Sequence, residues 1–429
     1  MINQESIDTV NALRWSNHFM KPAHSEGYCF SQIPQFVHYL LTEEGELGFP
    51  PNVLGNFPHR YDKVVLLYVD AFGWRFFQQF VDQFPFLKRF SEQGIVSKIT
   101  SQFPSTTAAH LTAIHLGQPV AQTGIYEWFY YEPLLDRLIA PLIFSYAGDR
   151  ETGTIKLPEG VGLKPFFPDP NVYEKLAMSG VRSHIFQSSE YNQGGFANLA
   201  LAGAQRHGFK TMSEGLLNLA DAIVAEKSKA YFFYYFDPID AIGHRHGPSS
   251  RHFAAEVESF MIAAEQLFHS TLSGNVKNTL VLLTADHGQV DVSPDTTIYL
   301  NHHIPELKQH IRTDGEGRLL VPAGSARDIF FYIKEGRVDD AYELLKGSPL
   351  IEGKAEVHRV RDLINRGFFG TTVSENFRQR IADIVILPYE HDTVWWYEKG
   401  RFDMEMYGHH GGLTPAEMEI PMLALPYGI

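Results

Sequence analysis

The sequence predicts an α/β fold: a doubly wound, mostly parallel sheet with helices on both faces and a smaller inserted lobe. Three observations carry this expectation. Short, continuously apolar and β-branched runs recur along the chain, as strands buried on both faces require. Several of these runs are followed by a turn and then a helical pattern. Two stretches, 126–169 and 296–370, interrupt that alternation.

Residues 1–60 are aromatic- and Pro-rich without clear periodicity and read as an N-terminal extension packed on the main body. The first buried-strand run, Lys63 to Val69, ends at Asp70 and precedes a helix over Phe72 to Phe84. Val96 to Thr100 precedes a helix over Thr107 to Leu116, and the helix Val172 to Met178 precedes a strand over Arg182 to Phe186. Tyr231 to Phe236 precedes the helix Arg251 to Leu272, Thr279 to Thr284 is another strand, and Ile381 to Leu387 reads as the last. Of the interruptions, Tyr126 to Tyr146 is strand-like and Ala147 to Asp169 a Gly- and Pro-rich loop. The second, 296–370, contains a strand at Ile329 to Ile333 and a short helix at Asp339 to Leu345, and reads as the inserted lobe. The core is then 61–295 together with 371–429.

A chain of 429 residues, 44% hydrophobic and 13% aromatic, has ample core for such a domain. Its formal charge of −14 argues against binding duplex nucleic acid, which needs a basic surface. Any anionic substrate must therefore be met locally, by metal ions or backbone donors. The single cysteine, Cys29, excludes an internal disulfide. The opening residues Met1 to Asp8 are polar and acidic where a signal peptide would be basic and then apolar, and no run is long enough for a membrane span. The expectation is a cytoplasmic protein without membrane attachment, with a homodimer left open.

Function is concentrated at strand ends, where open α/β sheets bind their ligands. Phe103-Pro104-Ser105-Thr106-Thr107-Ala108-Ala109-His110 joins a strand to a helix, a junction whose unpaired N–H groups and helix dipole favour an anion. Ser105 or Thr106 is either an N-cap or a nucleophile there. Asp70 ends a strand, and taken singly is a turn former. Asp240 and His244 are spaced to share one face of a helical turn, as a metal pair would. Asp286-His287-Gly288 follows a buried strand, its glycine letting backbone pass close to an ion. His410 lies in His409-His410-Gly411-Gly412. Together these separated carboxylates and imidazoles match what a pair of Zn²⁺-like ions needs. The aromatics Phe72, Trp74, Trp128, Phe129 and Tyr130 are core packing or stacking surfaces for an apolar group.

Val-Asp-Ala-Phe-Gly at 69–73, the 103–110 motif, Asp-x-x-x-His-x-x-Gly-Pro at 240–248, Asp-His-Gly at 286–288 and His-Gly-Gly at 410–412 occur in one order. In that order the chain resembles the alkaline phosphatase superfamily, and within it the type I phosphodiesterase/nucleotide pyrophosphatase family, from about residue 62 to the C-terminus. The resemblance implies an alkaline phosphatase-like core with an inserted cap, and a hydrolase of small phosphorylated substrates, phosphodiesters or nucleotide pyrophosphates. It implies two divalent metal ions, Zn²⁺ first among them. Thr106, four residues before His110, takes the nucleophile position and would form a phospho-threonine intermediate, with Thr107 and Ser105 as weaker alternatives. Asp240, His244 and His410 would hold one ion, and Asp70, Asp286 and His287 with the Thr106 oxygen the other; His246 and His409 stay outside. The chain departs from the family at Ala109, where an Asn amide usually contacts a phosphoryl oxygen, and at Gly124-Ile125-Tyr126-Glu127-Trp128. Phosphomonoester or phosphonoacetate-type phosphonate hydrolysis, and a non-catalytic metal-binding relative, are the competing expectations. The setting of Cys29, which is not Cys-x-Pro-x-Arg, argues against a sulfatase, and the lack of its serine motif against the cofactor-independent phosphoglycerate mutase.

Overall fold

In the computed structural model, which describes every residue except 161, 163–165 and 167–169, seven strands form the central sheet. They are β1 (Lys63–Val69), β2 (Ile95–Thr100), β3 (Arg182–Ser188), β4 (Gln205–Phe209), β5 (Ala230–Phe236), β6 (Thr279–Thr284) and β7 (Glu419–Tyr427). Their order across the sheet is β2-β7-β6-β1-β5-β3-β4. β1 pairs in parallel with β5 and β6, and β3 in parallel with β4 and β5. β7 alone runs against its neighbours, β2 and β6. This is the mostly parallel, helix-flanked sheet that the sequence predicts. Every residue of β1, β2, β5 and β6 is buried, which is why these strands read as unbroken apolar runs rather than as alternating ones.

Two strand expectations are corrected. Ile381 to Leu387 does not close the main sheet: the strand there, Ile384–Pro388, is the middle of a separate three-stranded antiparallel sheet with Ile329–Phe331 and Ala355–Arg359. That small sheet thus reaches past residue 370. The main sheet is completed instead by β7, whose Pro421 and Pro426 disguise it, since proline is rare inside a paired strand. β4 is the other strand the sequence hides, a polar edge strand with little apolar signal.

The helix expected over Phe72 to Phe84 is two, Trp74–Phe80 and Pro85–Gln93. Phe84 is extended, as a residue before proline prefers, and Pro85 then starts the second helix. The stretch Arg251 to Leu272 stays helical but passes through a π-helical segment at Ala264–His269. Tyr126 to Tyr146 contains a three-stranded antiparallel ribbon, Tyr130–Glu132, Arg137–Ala140 and Ser145–Tyr146. The loop expected over Ala147 to Asp169 lies partly outside the described residues. Bridges from Ile2 to Val96 and from Cys29 to Thr100 lay the N-terminal stretch along the outer side of β2, covering an edge that would otherwise be open to pairing. Among the described residues no helix is long and apolar enough to cross a membrane.

Candidate active site

All the parallel strands point their carboxyl ends the same way, so residues just beyond β1, β5 and β6 meet at one edge of the sheet. Asp70 follows β1. Asp240 and His244 sit one turn apart on the helix Pro238–His246, just after β5. Asp286 and His287 follow β6, and His410 comes from the segment leading to β7.

These six side chains form two groups in which one ligand atom from each residue lies within 4.8 Å of the others: Asp70, Asp286 and His287, and Asp240, His244 and His410. In the first, His287 Nε2 is 3.2 Å from Asp286 Oδ2 and 3.5 Å from Asp70 Oδ1. In the second, His244 Nε2 is 3.2 Å from both Asp240 Oδ2 and His410 Nε2. The His287 and His410 rings stack at 3.6 Å, which sets the two groups side by side.

The donor set fits divalent cations. Each imidazole has a backbone carbonyl opposite Nδ1: Gly288 O for His287 at 3.0 Å, Gly408 O for His244 at 2.8 Å and Ser105 O for His410 at 2.9 Å. A carbonyl can only accept, so the Nδ1 atoms carry the protons and the Nε2 lone pairs all face inward, as ligands of one metal site must. Asp70 Oδ1 and Asp286 Oδ2 are buried without a hydrogen-bond donor. The opposite oxygens are anchored: Tyr235 donates to Asp70 Oδ2 at 2.5 Å, and the amides of Ala71 and His287 donate to Asp286 Oδ1. Burial, reinforced by the neighbouring Asp286 charge, pushes the Asp70 carboxyl well above its ordinary value. Burial also acts to raise Asp286, and only a positive charge at the His287 position, on the imidazole itself when no metal ion is bound, holds it down at about 2. Two carboxylates this close and this dry ionise together only when a cation lies between them.

Gly288 is there for close approach: a Cβ on it would overlap the Ala416 carbonyl oxygen. His409 and His246 stand outside both groups, His409 with Nδ1 accepting from the His410 amide and His246 stacked on His252 at 4.0 Å.

At the strand-to-helix junction the structure separates the two threonines. Thr106 is the N-cap residue of the helix Thr107–Leu116, but its hydroxyl caps nothing and sits beside the Glu127 carboxylate. The hydroxyl held against the ligands is that of Thr107, with Oγ1 3.2 Å from His287 Nε2. Thr107 is the first helical residue, where the backbone N–H groups lack intrahelical acceptors and the dipole favours negative charge. Ser105 is tied down by its own bond to Gly412 O at 2.8 Å. His110 is a fixture of the loop rather than a ligand: Nε2 accepts from the Gln102 amide at 2.9 Å, and Nδ1 faces Thr106 O at 2.8 Å. Burial drops its pKa to about 4, so it stays neutral.

Sequence reasoning left out Glu127, Tyr235 and Gln289. Glu127 is fully buried, accepts the Trp128 amide through Oε2, and is pushed by burial up to about 7. Its signal was the departure at 124–128, but a carboxylate there names no partner by itself.

Two cavities meet at Thr107 and Trp128. The first, of about 490 Å³, runs past Leu111, Phe144, Phe196 and Tyr235. The second, of about 430 Å³, runs past Asp240, His244, His410 and Glu127 to Phe402 and Met404.

Murine ectonucleotide pyrophosphatase/phosphodiesterase 5 superposes with a TM-score of 0.60 at 17% identity, covering 85% of this chain and 88% of its own. An inactive threonine-to-alanine variant of that murine protein in complex with AMP aligns at a TM-score of 0.60 and 16% identity, over 84% and 87%. Phosphonoacetate hydrolase from Sinorhizobium meliloti 1021 in complex with phosphonoformate aligns at 0.59 and 17%, over 84% and 89%. These likenesses show a shared alkaline phosphatase-like fold. No curated protein sequence matches the chain. The type I phosphodiesterase/nucleotide pyrophosphatase signature matches residues 64–413, a span that takes in the hydroxyl junction and all six Asp and His side chains gathered at the sheet edge. By that match the chain belongs to the type I phosphodiesterase/nucleotide pyrophosphatase family, within the alkaline phosphatase superfamily.

Proposed function

We propose that this protein is a two-metal hydrolase of phosphodiesters or pyrophosphates, with Thr107 rather than Thr106 as its nucleophile. The observation that carries this reading is the pair of ligand groups set side by side, with the Thr107 hydroxyl against His287. Asp70, Asp286 and His287 would hold one ion and Asp240, His244 and His410 the other; mixed imidazole and carboxylate donors suit Zn²⁺. Divalent ions there would supply the positive charge that a threonine alkoxide and a leaving oxygen need. Thr107 Oγ attacks phosphorus in line with the leaving ester oxygen, giving a phospho-threonine that water then hydrolyses. The free amides of the helix start face the same point and stand in for the family's missing Asn amide.

The two cavities favour a diester over a monoester. A diester carries one group that leaves and one that stays on phosphorus, and the site opens into a cavity on each side of Thr107. The leaving group departs opposite the attacking oxygen, on the side of the Asp240 group, and so belongs to the second cavity. The retained group then takes the first, whose described lining residues include no Lys or Arg and a single carboxylate, Glu190, and which suits an uncharged, largely apolar moiety. Phosphonoacetate is a poorer fit, because its carboxylate needs a cationic partner. Arg401 of the second cavity is committed to Glu398 at 2.6 Å and to Ala147 O at 2.9 Å.

The test is a panel of zinc-loaded assays with bis-p-nitrophenyl phosphate, p-nitrophenyl phosphate, a nucleotide pyrophosphate and phosphonoacetate. Diester kcat/KM should exceed monoester kcat/KM by about 10-fold or more, roughly the discrimination that filling a second apolar pocket allows. Ala197→Phe, at a residue that lines the first cavity but not the second, should lower diester turnover and spare the monoester. Equal rates on mono- and diesters, both unmoved by that substitution, would refute the two-cavity assignment.

A further inference from the structure

We infer that Gln289 is a positioning residue for the Asp240–His244–His410 group, holding the Asp240 carboxylate in the orientation in which that group takes a divalent ion. Gln289 is fully buried, three residues past Asp286 and directly before the short ribbon in which Val290–Asp291 pairs with Gly408–His409. Its side-chain amide donates to Asp240 Oδ1 at 2.7 Å and to the Asp240 main-chain oxygen at 3.2 Å. The Gln289 main-chain oxygen is fixed in turn by Arg75 Nη2 at 2.5 Å.

The other end of the amide shows that this placement is built. Gln289 Oε1 is buried without a donor, wedged between two glycines. A Cβ on Gly243 would overlap it, and one on Gly408 would lie 2.7 Å from it. Gly243 immediately precedes His244, and Gly408 supplies the carbonyl that fixes the His244 tautomer. A bulkier residue at either position would expel the side chain. The amide can be oriented in one way only, because turning it over would set Oε1 against two oxygens of Asp240. An unpaired buried acceptor is a lasting cost to the fold, and here it is the consequence of aiming the NH₂ at a metal ligand. Gln289 thus ties together the helix that carries Asp240 and His244 and the segment that carries His410.

Fixing one carboxylate oxygen leaves Asp240 Oδ2, 3.2 Å from His244 Nε2, free to point inward. Tyr235 does the same for Asp70 in the neighbouring group. The inference rests on the two-ion reading, and its test reads metal rather than turnover. Zn²⁺ is titrated into chelator-treated full-length protein against a chromophoric chelator, for the wild type, Gln289→Met and Gln289→Asn. Methionine keeps the volume without a donor; asparagine keeps the amide but stops short of Asp240. Each variant should bind one ion as the wild type does and the other about 10- to 100-fold more weakly, the usual effect of removing a ligand's outer partner. Wild-type affinity for both ions would overturn the inference, as would equal weakening of both, which marks a general structural role. Fewer than two ions bound to the wild type would instead sink the two-ion reading itself.

Discussion

Thr107→Ala is expected to lower kcat on a diester by about 10³-fold or more while leaving two zinc ions bound, because it removes the attacking oxygen and no protein ligand. Thr106→Ala is expected to stay within about 10-fold of the wild type, since it removes a hydroxyl that sits beside Glu127 rather than beside a ligand nitrogen. The contrast follows from helix geometry. An N-cap side chain and the first helical side chain leave the backbone in different directions, and only the Thr107 hydroxyl lies at hydrogen-bonding distance from a ligand nitrogen. Thr107→Ser should retain measurable turnover, since it keeps a hydroxyl at the same place. Steady-state kinetics on metal-analysed protein decides the matter. If Thr106→Ala is dead and Thr107→Ala turns over, the nucleophile is the N-cap residue and the reading of the junction is reversed.

That one-residue difference shows where sequence reasoning runs out. Five of the six Asp and His side chains could be picked out because they follow buried strands, whose parallel carboxyl ends must come together, and His410 by its place in the His-Gly-Gly motif. Which of two adjacent threonines faces them depends on where the helix begins, and sequence patterns leave such a boundary uncertain by one or two residues. Strands were legible where burial on both faces left an apolar run, as in Lys63–Val69 and Thr279–Thr284. They were not where other demands overrode that pattern: prolines in Glu419–Tyr427, a polar edge in Gln205–Phe209. Ile384–Pro388 was recognisable as a strand, but an apolar run does not say which sheet it joins. Gln289 and Tyr235 act through contacts between distant segments and carry no local signature at all.

Arg327→Met is expected to destabilise the protein by about 3–5 kcal/mol at pH 7, the usual consequence of stranding one partner of a buried ion pair. Arg327 is fully buried and makes a two-pronged contact with Glu417, Nε to Oε1 at 3.0 Å and Nη2 to Oε2 at 2.9 Å. Its remaining nitrogen donates to Tyr389 O at 2.5 Å and to Asp392 O. The pair therefore joins the small sheet, where Arg327 precedes Ile329–Phe331, to the segment between His410 and β7. Glu417 also accepts the Gly412 amide at 3.0 Å and the Thr414 hydroxyl at 2.6 Å, shaping the turn that follows the His410 ligand. Burial acts to raise the Glu417 carboxyl, but the Arg327 guanidinium overrides it and holds the group below its ordinary value. In the wild type Glu417 thus contributes stability above its unfolded pKa of 4.5, and that contribution is lost as pH falls through the lower folded value. With Arg327 gone, burial prevails and the folded pKa rises above 4.5, so the variant loses stability as pH rises from there. The deficit should be large at pH 7 and shrink toward pH 5, as urea denaturation at both pH values will measure. A deficit that does not change with pH would mean that lost packing, rather than the stranded carboxylate, is the source of the damage.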